Sequence, residues 1–474
     1  MTAFLKSRVT TPLAVLLAAT LARGQTYFVD ASGGDDGNLG TSWTDAFETL
    51  DKALDTAGSG DTILVAEGGY GPYHAGDGYI ELEDELDIHG GFLGGAGGST
   101  SPDGPDGSFL QTQINGFPSA TETGPLVRSI SNTLATLDGF VIQDGDVDTG
   151  DTGSGNGAAF YCTSPDTVVL ENITFRDNAA ENHGGAVYLS GGGAYDWDEE
   201  TCELDIFGLE LDRCIFYSNT AESGGAVALG DLSQGGGYAA CGVEICNGIF
   251  FENEATGELS NNDGGGAIYL AKETFMEASN CLIHDNLAEA GGGIFSGPDE
   301  ADENTVGIII LRHCTIALND SDADNGAGIH MLASGSDPNC ARLEVLNSIV
   351  WGNATNASGN YDMFYAGGGI PFTVEASDYG LVSGVDVSAG TNISANPRFI
   401  NAAAGNFLLD DSPLSPCIDA AEGDYVGLDF ADIDEDTLTG EVLPLDLRLT
   451  DRDHDFPGVS VLDTVDMGAF EARE

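Results

Sequence analysis

Two short motifs recur together along the middle of the chain, and this interleaved repeat constrains the fold more than any other feature. Copies of the first motif end in asparagine and read ITFRDN, CIFYSN, GIFFEN, CLIHDN, CTIALN and SIVWGN. The second motif is Gly-Gly-Ala/Gly-Val/Ile, as in Gly184-Gly185-Ala186-Val187. A regular period of this kind is typical of solenoids, whose repeats each pack on their neighbours. The asparagines are spaced by 33 or 34 residues, apart from one interval of 41, and are Asn178, Asn219, Asn253, Asn286, Asn319 and Asn353.

The residues before each asparagine predict a short strand. Positions three and five before it are small or apolar, as at Phe175 and Ile173, so the period-2 rule points them inward. The asparagine then ends the strand at a turn, where its side chain can bond backbone groups. Equivalent asparagines in stacked coils would lie about 4.8 Å apart and could form a ladder of amides. Because residues 137–370 lack a sustained 3.6-residue apolar period, we exclude helical repeats and predict an all-β parallel solenoid.

The paired motifs resemble the repeats of polymorphic outer-membrane (Pmp-type) proteins and related β-helix proteins. The resemblance extends from Leu137 to Asn353, where both motifs recur in register. It implies a right-handed parallel β-helix, which we expect over residues 61–395.

The first 24 residues have the features of a secretory signal peptide. Lys6 and Arg8 precede an apolar stretch at Pro12–Ala22, and small residues allow cleavage before Gln25. A membrane anchor is the alternative, but the apolar stretch is shorter than the roughly 20 residues that a spanning helix needs. We therefore expect the protein to be secreted, either extracellular or on the outer-membrane surface, with no transmembrane helix.

Residues 25–60 are predicted to cap the solenoid with an amphipathic helix. Ser42-Trp43-Thr44-Asp45 has the pattern of a capping box, and Phe47, Leu50, Leu54 and Ala57 follow at helical spacing. This segment resembles the N-terminal cap of pectate-lyase-like β-helices, and Asp61–Ala66 resembles their first coil. A cap is required because an open solenoid end exposes unpaired strand edges.

Residues 396–474 form the last predicted region, an irregular or β cap. The stretch from Asn396 to Ala421 and the ending VDMGAFE at 465–471 are similar to the "choice-of-anchor Q" domain of secreted bacterial β-helix proteins.

Composition excludes several classes of partner. The chain has 78 acidic and 14 basic residues and a formal net charge of −64, a field that repels nucleic acids and anionic lipids. Such a charge favours cations, Ca²⁺ above all, although solubility at high salt explains it equally. A hydrophobic content of 41% still argues for a packed core. The nine cysteines include no C-x-x-C pair, so a zinc site is not expected. We also expect the protein to be a monomer.

Aromatic residues suggest a binding surface for glycans. Two residues before each ladder asparagine, the side chain should face outward, and flat rings stacked along one face can pack against sugar rings. A simple row of exposed, strand-favouring side chains is the alternative. The one long interval contains a further aromatic loop with Tyr195 and Trp197, which is either a binding loop or a solvated acidic loop. The row consists of Arg176, Tyr217, Phe251, His284, Ala317 and Trp351.

Calcium is the expected cofactor, if the protein has one. Two segments near the C-terminus place aspartates at alternate positions, as hard cations require, but neither has the glycine and glutamate of an EF-hand. The candidate ligands are Asp432, Asp434, Asp436, Asp451, Asp453 and Asp455.

A catalytic site is not evident in the sequence. Lyases of this fold use Ca²⁺ with an Arg or Lys base, and its glycosidases use clustered Asp with His and Arg. The basic candidates are spread along the solenoid and are Arg128, Arg176, Arg213, Lys272, Arg312 and Arg342. We therefore predict a non-catalytic β-helix for adhesion or for glycan or matrix binding, with a Ca²⁺-dependent polysaccharide lyase or glycoside hydrolase as the alternative. A carboxylate cluster facing a basic residue would favour the enzyme.

Overall fold

A computed structural model describes most of the chain from residue 24 onward. The described residues are 24–71, 79–82, 84–102, 104–116, 124–130, 134–150, 155–163, 167–191, 208–230, 241–258, 263–271, 274–297, 307–322, 326–332, 342–355, 361–366, 372–384, 387, 391–426, 445–449 and 465–472. The predicted signal peptide lies outside them, apart from Gly24. None of the helices among these residues is long and apolar enough to cross a membrane.

Four long sheets of parallel strands wind into a right-handed parallel β-helix, which confirms the predicted fold class. Sheet A contains Thr26–Val29, Thr62–Ala66, Leu86–Phe92, Ala135–Asp138, Val168–Glu171, Leu209–Asp212, Cys241–Cys246, Thr274–Ser279, Ile308–Arg312, Arg342–Leu346 and Phe372–Glu375. Sheet B contains Gly68–Tyr70, Thr112–Asn115, Val141–Gln143, Thr174–Arg176, Ile215–Tyr217, Ile249–Phe251, Leu282–His284, Thr315–Ala317, Ile349–Trp351 and Asp378–Tyr379.

The other two sheets complete each coil. Sheet C contains Ile80–Leu82, Val127–Ile130, Phe160–Thr163, Val187–Ser190, Val227–Leu229, Ile268–Leu270, Ile294–Ser296, Ile329–Leu332, Met363–Ala366 and Val382–Ser383. Sheet D contains Asp146–Val147, Ala179–Ala180, Thr220–Ala221, Glu254–Ala255, Leu287–Ala288, Asp320–Ser321 and Ala354–Thr355. In the regular coils the chain passes from sheet A to B, D and C before it returns to A.

Single left-handed residues turn the corners of the coils. The corner from sheet D to sheet C uses the first glycine of each predicted pair, with φ of 63° at Gly184. A Cβ there would lie 2.1 Å from the carbonyl oxygen of Val187, so only glycine fits. At the corners from sheet A to B and from sheet B to D, residues with side chains adopt this conformation. They are Asn172, Arg213, Asn247, Asn280, His313 and Asn347 after sheet A, and Asp144, Asp177, Ser218, Glu252, Asp285 and Leu318 after sheet B.

The inward positions predicted from the repeat are buried, which confirms the alternation. Phe175, Phe216 and Phe250 are fully buried and stacked, with ring centroids 4.8 and 4.6 Å apart. Cys281 and Cys314 lie in the same core, and the seven cysteines among the described residues are buried and free of disulfide bonds. Cys214 occupies the same inward position of the repeat, so these residues form a row of buried thiols.

The asparagines form the predicted ladder. The Asn286 side-chain amide donates to Asn319 Oδ1 at 2.9 Å and to the carbonyl oxygen of Phe250 at 3.0 Å. Its own Oδ1 accepts from the backbone and side-chain nitrogens of Asn253. The same pattern continues in one direction from Asn178 to Asn353. The buried amide and carbonyl groups at each corner are thus hydrogen-bonded to the neighbouring coil.

The N-terminal helix is shorter than predicted, and the capping box is wrong. Trp43–Asp45 is a 3₁₀ turn whose Ser42 side chain makes no capping bond. The α-helix is Leu50–Leu54, and Thr49 Oγ1 caps it by accepting from the Lys52 backbone nitrogen at 3.2 Å. The helix cannot start earlier because Phe47 bridges to the first strand of sheet A, with backbone bonds to Phe28 and Asp30.

The C-terminal residues pack along the flank of the last coils. Phe399–Asn401 and Asn406–Leu409 pair as antiparallel strands. Apolar side chains from 399–472 then cover the outer side of sheet B around Leu282, Ala317 and Ile349. This segment, described at 391–426, 445–449 and 465–472 and here termed the flank segment, limits which part of sheet B faces solvent.

Candidate functional site

The predicted aromatic row exists on the outer face of sheet B. Parallel pairing places Arg176, Tyr217, Phe251, His284, Ala317 and Trp351 at one register position in successive strands. The rings of Tyr217 and Phe251 are stacked, with centroids 5.0 Å apart and planes 11° apart. Phe251 and His284 continue the stack at 5.4 Å and 5°.

The flank segment covers the C-terminal half of this row, so the expectation that the whole row faces solvent is wrong. His284 and Ala317 are buried, with Phe407 packed on them at a ring-centroid distance of 4.8 Å from His284. Trp351 is half-buried against the same segment. Arg176, Tyr217 and Phe251 are half-buried and lie outside the covered part. Tyr195 and Trp197 lie outside the described residues.

Two amides extend the open half of the row towards the N-terminus. Gln143 pairs in register with Arg176, and Asn115 pairs with Gln143. Gln143 Nε2 donates to Asn115 Oδ1 at 2.8 Å, and Gln143 Oε1 accepts from Arg176 Nε at 2.7 Å. The degenerate repeat LDGFVIQDG contains Gln143, so alignment of that coil with the later ones could have identified it. The five side chains Asn115, Gln143, Arg176, Tyr217 and Phe251 are termed the open row.

A second outer row lies on sheet C, and the sequence analysis missed it. Pairing aligns Tyr161, Tyr188, Ala228, Tyr269, Phe295, His330 and Phe364. Tyr188, Tyr269 and Phe295 are buried, so this row is a packing layer. The sequence could have indicated this row, because the residue that follows the glycine motif is aromatic or histidine in four of the five copies.

A cluster of charged side chains lies where sheet A turns into sheet B. Arg213 donates to Glu171 and to Asn172 Oδ1, and its Nη1 lies 2.9 Å from Asp212 Oδ2. Asp138 accepts from Asn172 Nδ2 at 2.8 Å. His89 Nδ1 lies 3.1 Å from the other Asp138 oxygen, which completes a cluster of His89, Asp138, Glu171, Asp212 and Arg213.

Burial raises the pKa of Glu171 within this cluster. Burial and then the nearby Asp138 carboxylate raise the pKa of Glu171, whereas Arg213 and His89 oppose the shift. The Glu171 side chain remains 30% exposed, so a ligand could reach it. A carboxyl group whose pKa is raised beside other charged side chains is an arrangement that general acids use. The alternative is that these side chains only neutralise one another's charges, as a structural ion-pair network does.

The remaining basic candidates lie in isolated ion pairs. Arg128 lies 2.5 Å from Glu81, and Arg312 lies 3.0 Å from Glu277. Arg342 lies 3.2 Å from Glu344. Lys272 is outside the described residues. These arginines therefore do not converge with Arg213 on one site.

The six predicted metal ligands, Asp432, Asp434, Asp436, Asp451, Asp453 and Asp455, also lie outside the described residues. The flank segment contains another group with suitable oxygens. One carboxylate oxygen from each of Asp419, Asp466 and Glu471 lies within 4.8 Å of the others, and all three residues are buried. Backbone nitrogens of Asp419 and Ala472 donate to the Asp466 carboxylate, both at 2.6 Å.

Comparison with known proteins finds one family model and one curated relative that each match part of the chain. A family model described as "Protein of unknown function (DUF1565)" matches residues 32–190, about a third of the chain. Metabotropic glutamate receptor-like protein R of Dictyostelium discoideum is 26% identical over 173 residues, which are 36% of this chain and 8% of that protein. The chain thus corresponds to less than a tenth of this relative.

The solved structures that this chain resembles have low sequence identity to it and low TM-scores. Pectate lyase Pel9A has a TM-score of 0.42 and 13% identity, over 95% of this chain and 96% of that one. The GH136 lacto-N-biosidase from Eubacterium ramulus has a TM-score of 0.37 and 13% identity, over 77% and 62% of the two chains. A rhamnogalacturonan lyase has a TM-score of 0.33 and 14% identity, over 80% and 91%. At these scores the argument for a β-helix rests on the strand pairing of this chain itself.

Proposed function

We propose that this chain is a non-catalytic β-helix that binds a glycan along the open row. The observation that carries the proposal is the half-buried stack of Tyr217 on Phe251, with ring centroids 5.0 Å apart. Flat aromatic faces pack well against the apolar faces of sugar rings. The neighbouring Arg176, Gln143 and Asn115 provide donors and acceptors for hydroxyl groups.

The scaffold supports this role because it holds the row rigidly. The strands of the row are fixed by the core phenylalanines on one face and by the asparagine ladder at the following corner. Successive side chains follow the strand spacing of about 4.8 Å, so a linear glycan aligned with the solenoid axis would meet one side chain after another. A preorganised surface loses little entropy on binding.

The location and the anchoring of the protein are part of this proposal. We propose that residues 1–24 direct secretion, and that the mature protein is extracellular or on the outer-membrane surface. The Pmp-type repeats and the choice-of-anchor Q-like ending are consistent with such a protein. Adhesion to a polysaccharide or an extracellular matrix would then be its task, and Ca²⁺ would stabilise its acidic C-terminal region.

A panel of soluble polysaccharides, tested with and without Ca²⁺, examines this function. We expect retardation in affinity gels by at least one polysaccharide, and no absorbance from unsaturated products. A protein that binds none of the panel while it releases reducing ends or unsaturated products would contradict the proposal.

A second function, cleavage of a polysaccharide, is favoured by one specific observation. Arg213 contacts Glu171 and Asp212 directly, and His89 contacts Asp138 in the same cluster. Asp138 and Glu171 are partners in adjacent strands, so their Cα atoms are close to the strand spacing of about 4.8 Å. Glycosidases that retain configuration hold their two carboxyl groups about 5 Å apart, a separation that outward side chains on neighbouring strands can reach.

The variant Glu171→Gln separates this second function from binding. If the cluster cleaves glycans, reducing-end release by the wild type should fall by about 100-fold or more in the variant. Gel retardation would be unchanged, because the open row is intact. Absence of release by the wild type across the panel leaves binding as the function.

A further inference from the structure

Arg176 differs from the other arginines of the coils because it forms no ion pair with any acidic residue that the structure describes. Arg128, Arg213, Arg312 and Arg342 each form an ion pair with a carboxylate. Arg176 instead bonds to two neutral groups, Gln143 Oε1 at 2.7 Å and the Tyr217 hydroxyl at 3.3 Å. In a chain with 78 acidic residues, a half-buried guanidinium without a carboxylate partner is unexpected.

Local acidic residues are present but do not pair with it. Asp144 and Asp177, in the corners that follow Gln143 and Arg176, are exposed and make no ion pair with Arg176. The guanidinium is oriented by Gln143, which is itself fixed by Asn115. Nη2 of Arg176 forms no hydrogen bond to the described residues, so its two N–H groups are available to a ligand.

We propose that Arg176 receives the carboxylate of an acidic sugar, so that the glycan bound by the open row is a uronic-acid polymer. This inference rests on the proposed glycan-binding function. The N–H groups of Nη2 can donate charge-assisted hydrogen bonds to a carboxylate, which adds both affinity and orientation. The surrounding negative field would repel such a ligand elsewhere on the protein, so the one unpaired arginine of the row determines where the acidic group binds.

The neighbouring residues define how the sugar chain would lie. With one uronate at Arg176, the adjacent sugar along the solenoid axis falls over Tyr217, and the next one over Phe251. Phe407 covers His284, the following position, so the bound stretch is short at this end. In the other direction Gln143 and Asn115 offer only neutral groups. The open row therefore provides one ionic contact and two stacking contacts.

Calorimetric titration with a matched pair of probes tests the inference. Trigalacturonic acid and its fully methyl-esterified form have the same sugars and differ in charge. We expect the wild type to bind the acid at least about tenfold more tightly than the ester. Sulfated maltotriose distinguishes a sulfate ester from a carboxylate as the preferred anion, and stronger binding of the sulfate would overturn the uronate assignment.

Variants of Arg176 test whether this residue causes the preference. Arg176→Gln should bind the acid no more tightly than the ester, whereas Arg176→Lys should retain a smaller preference. Arg398→Gln is the control, since Arg398 is exposed and its side chain bonds, among the described residues, only to the Leu414 carbonyl oxygen. Melting temperatures of the variants establish that each one is folded.

The outcomes separate this inference from the proposed function. Equal binding of acid and ester by the wild type, or an undiminished preference in Arg176→Gln, would overturn the role of Arg176 while glycan binding stands. Binding of neutral polysaccharides but of neither uronic-acid probe would do the same. If no polysaccharide and no probe binds, the proposed function itself is wrong.

Discussion

Asn353 donates its side-chain Nδ2–H to Asp362 Oδ1 over 3.0 Å, and this bond ends the asparagine ladder. The Asn353 backbone nitrogen donates to the same oxygen at 2.8 Å, and the other Asp362 oxygen accepts from the Leu381 nitrogen at 2.9 Å. Each ladder asparagine has an amide N–H that needs an acceptor in the next coil. A carboxylate has no such N–H, so the ladder can end at Asp362 without a further asparagine. Burial nevertheless raises the pKa of Asp362 to about 6.

The first prediction concerns the stability contributed by the ladder. Asn286→Ala would remove the acceptor of two Asn253 nitrogens and the donor to Phe250 and Asn319, all in a buried corner. We expect the free energy of unfolding to fall by about 1–3 kcal/mol. Chemical denaturation measures this, with Glu254→Ala as an exposed control in the same region. An unchanged stability of Asn286→Ala would contradict the role of the ladder.

The second prediction concerns the pH dependence of stability. Burial lowers the pKa of His183 to about 4, and its Nδ1 has no hydrogen-bond partner among the described residues. Its ring is stacked with the rings of Tyr188 and Tyr269. The unfolded chain therefore binds a proton below about pH 6.5 that the folded chain refuses, so stability falls as pH falls from about 6.5 to 4.

His183→Phe isolates this effect, because the ring is retained and the titrating nitrogen is removed. Relative to the variant, the wild type should lose about 2 kcal/mol between pH 8 and pH 5. Urea denaturation at both pH values measures the difference. Parallel pH profiles for the two proteins would be inconsistent with a buried neutral His183.

The third prediction concerns the core thiols. The thiol groups of Cys214, Cys281 and Cys314 donate to carbonyl oxygens of the preceding coil, at 3.3, 3.7 and 3.3 Å. Burial raises the pKa of each described thiol for which a shift is resolved, so thiolate is scarce and reactivity low. Peptide mapping after alkylation in denaturant should recover Cys281 and Cys314 as free thiols. Detection of a Cys281–Cys314 disulfide would contradict the prediction that these thiols are free.

The fourth prediction concerns calcium. We expect millimolar Ca²⁺ to raise the melting temperature more than NaCl of equal ionic strength, because monovalent salt only screens the charges. Replacing Asp432, Asp434 and Asp436 together by Asn should remove most of the Ca²⁺-specific part, as the sequence predicts. Asp466→Asn tests the buried carboxylates of the flank segment in the same scan. Equal stabilisation by the two salts would mean that the acidity is general salt tolerance.

The coils could be predicted in detail because a repeat determines its own register. Once Phe175, Phe216 and Phe250 are aligned, every residue beside them is placed inward or outward by alternation alone. The ladder and the order of the outer row follow from the same alignment. The glycines at the corner into sheet C were also predictable, since no other residue fits beside the Val187 carbonyl group.

The rest of the site depends on contacts that no repeat encodes. Phe407 covers His284 from more than 100 residues away, and the Ala469 nitrogen bonds to Thr315 Oγ1 across 154 residues. Arg213 occupies a left-handed corner position where propensity favours Asn or Gly, so its place in the charged cluster was not evident. Tertiary packing overrode local preference at each of these points.

The central claim, that the open row binds a glycan, is tested most directly by affinity electrophoresis of a double variant. Tyr217→Ala combined with Phe251→Ala removes both aromatic rings of the open row. Tyr161→Ala is the control, because it removes a half-buried tyrosine from the outer row of sheet C. We predict that polysaccharides which retard the wild type also retard Tyr161→Ala, whereas the double variant loses at least about tenfold in affinity. Equal retardation of the wild type and the double variant, both folded, would contradict the account.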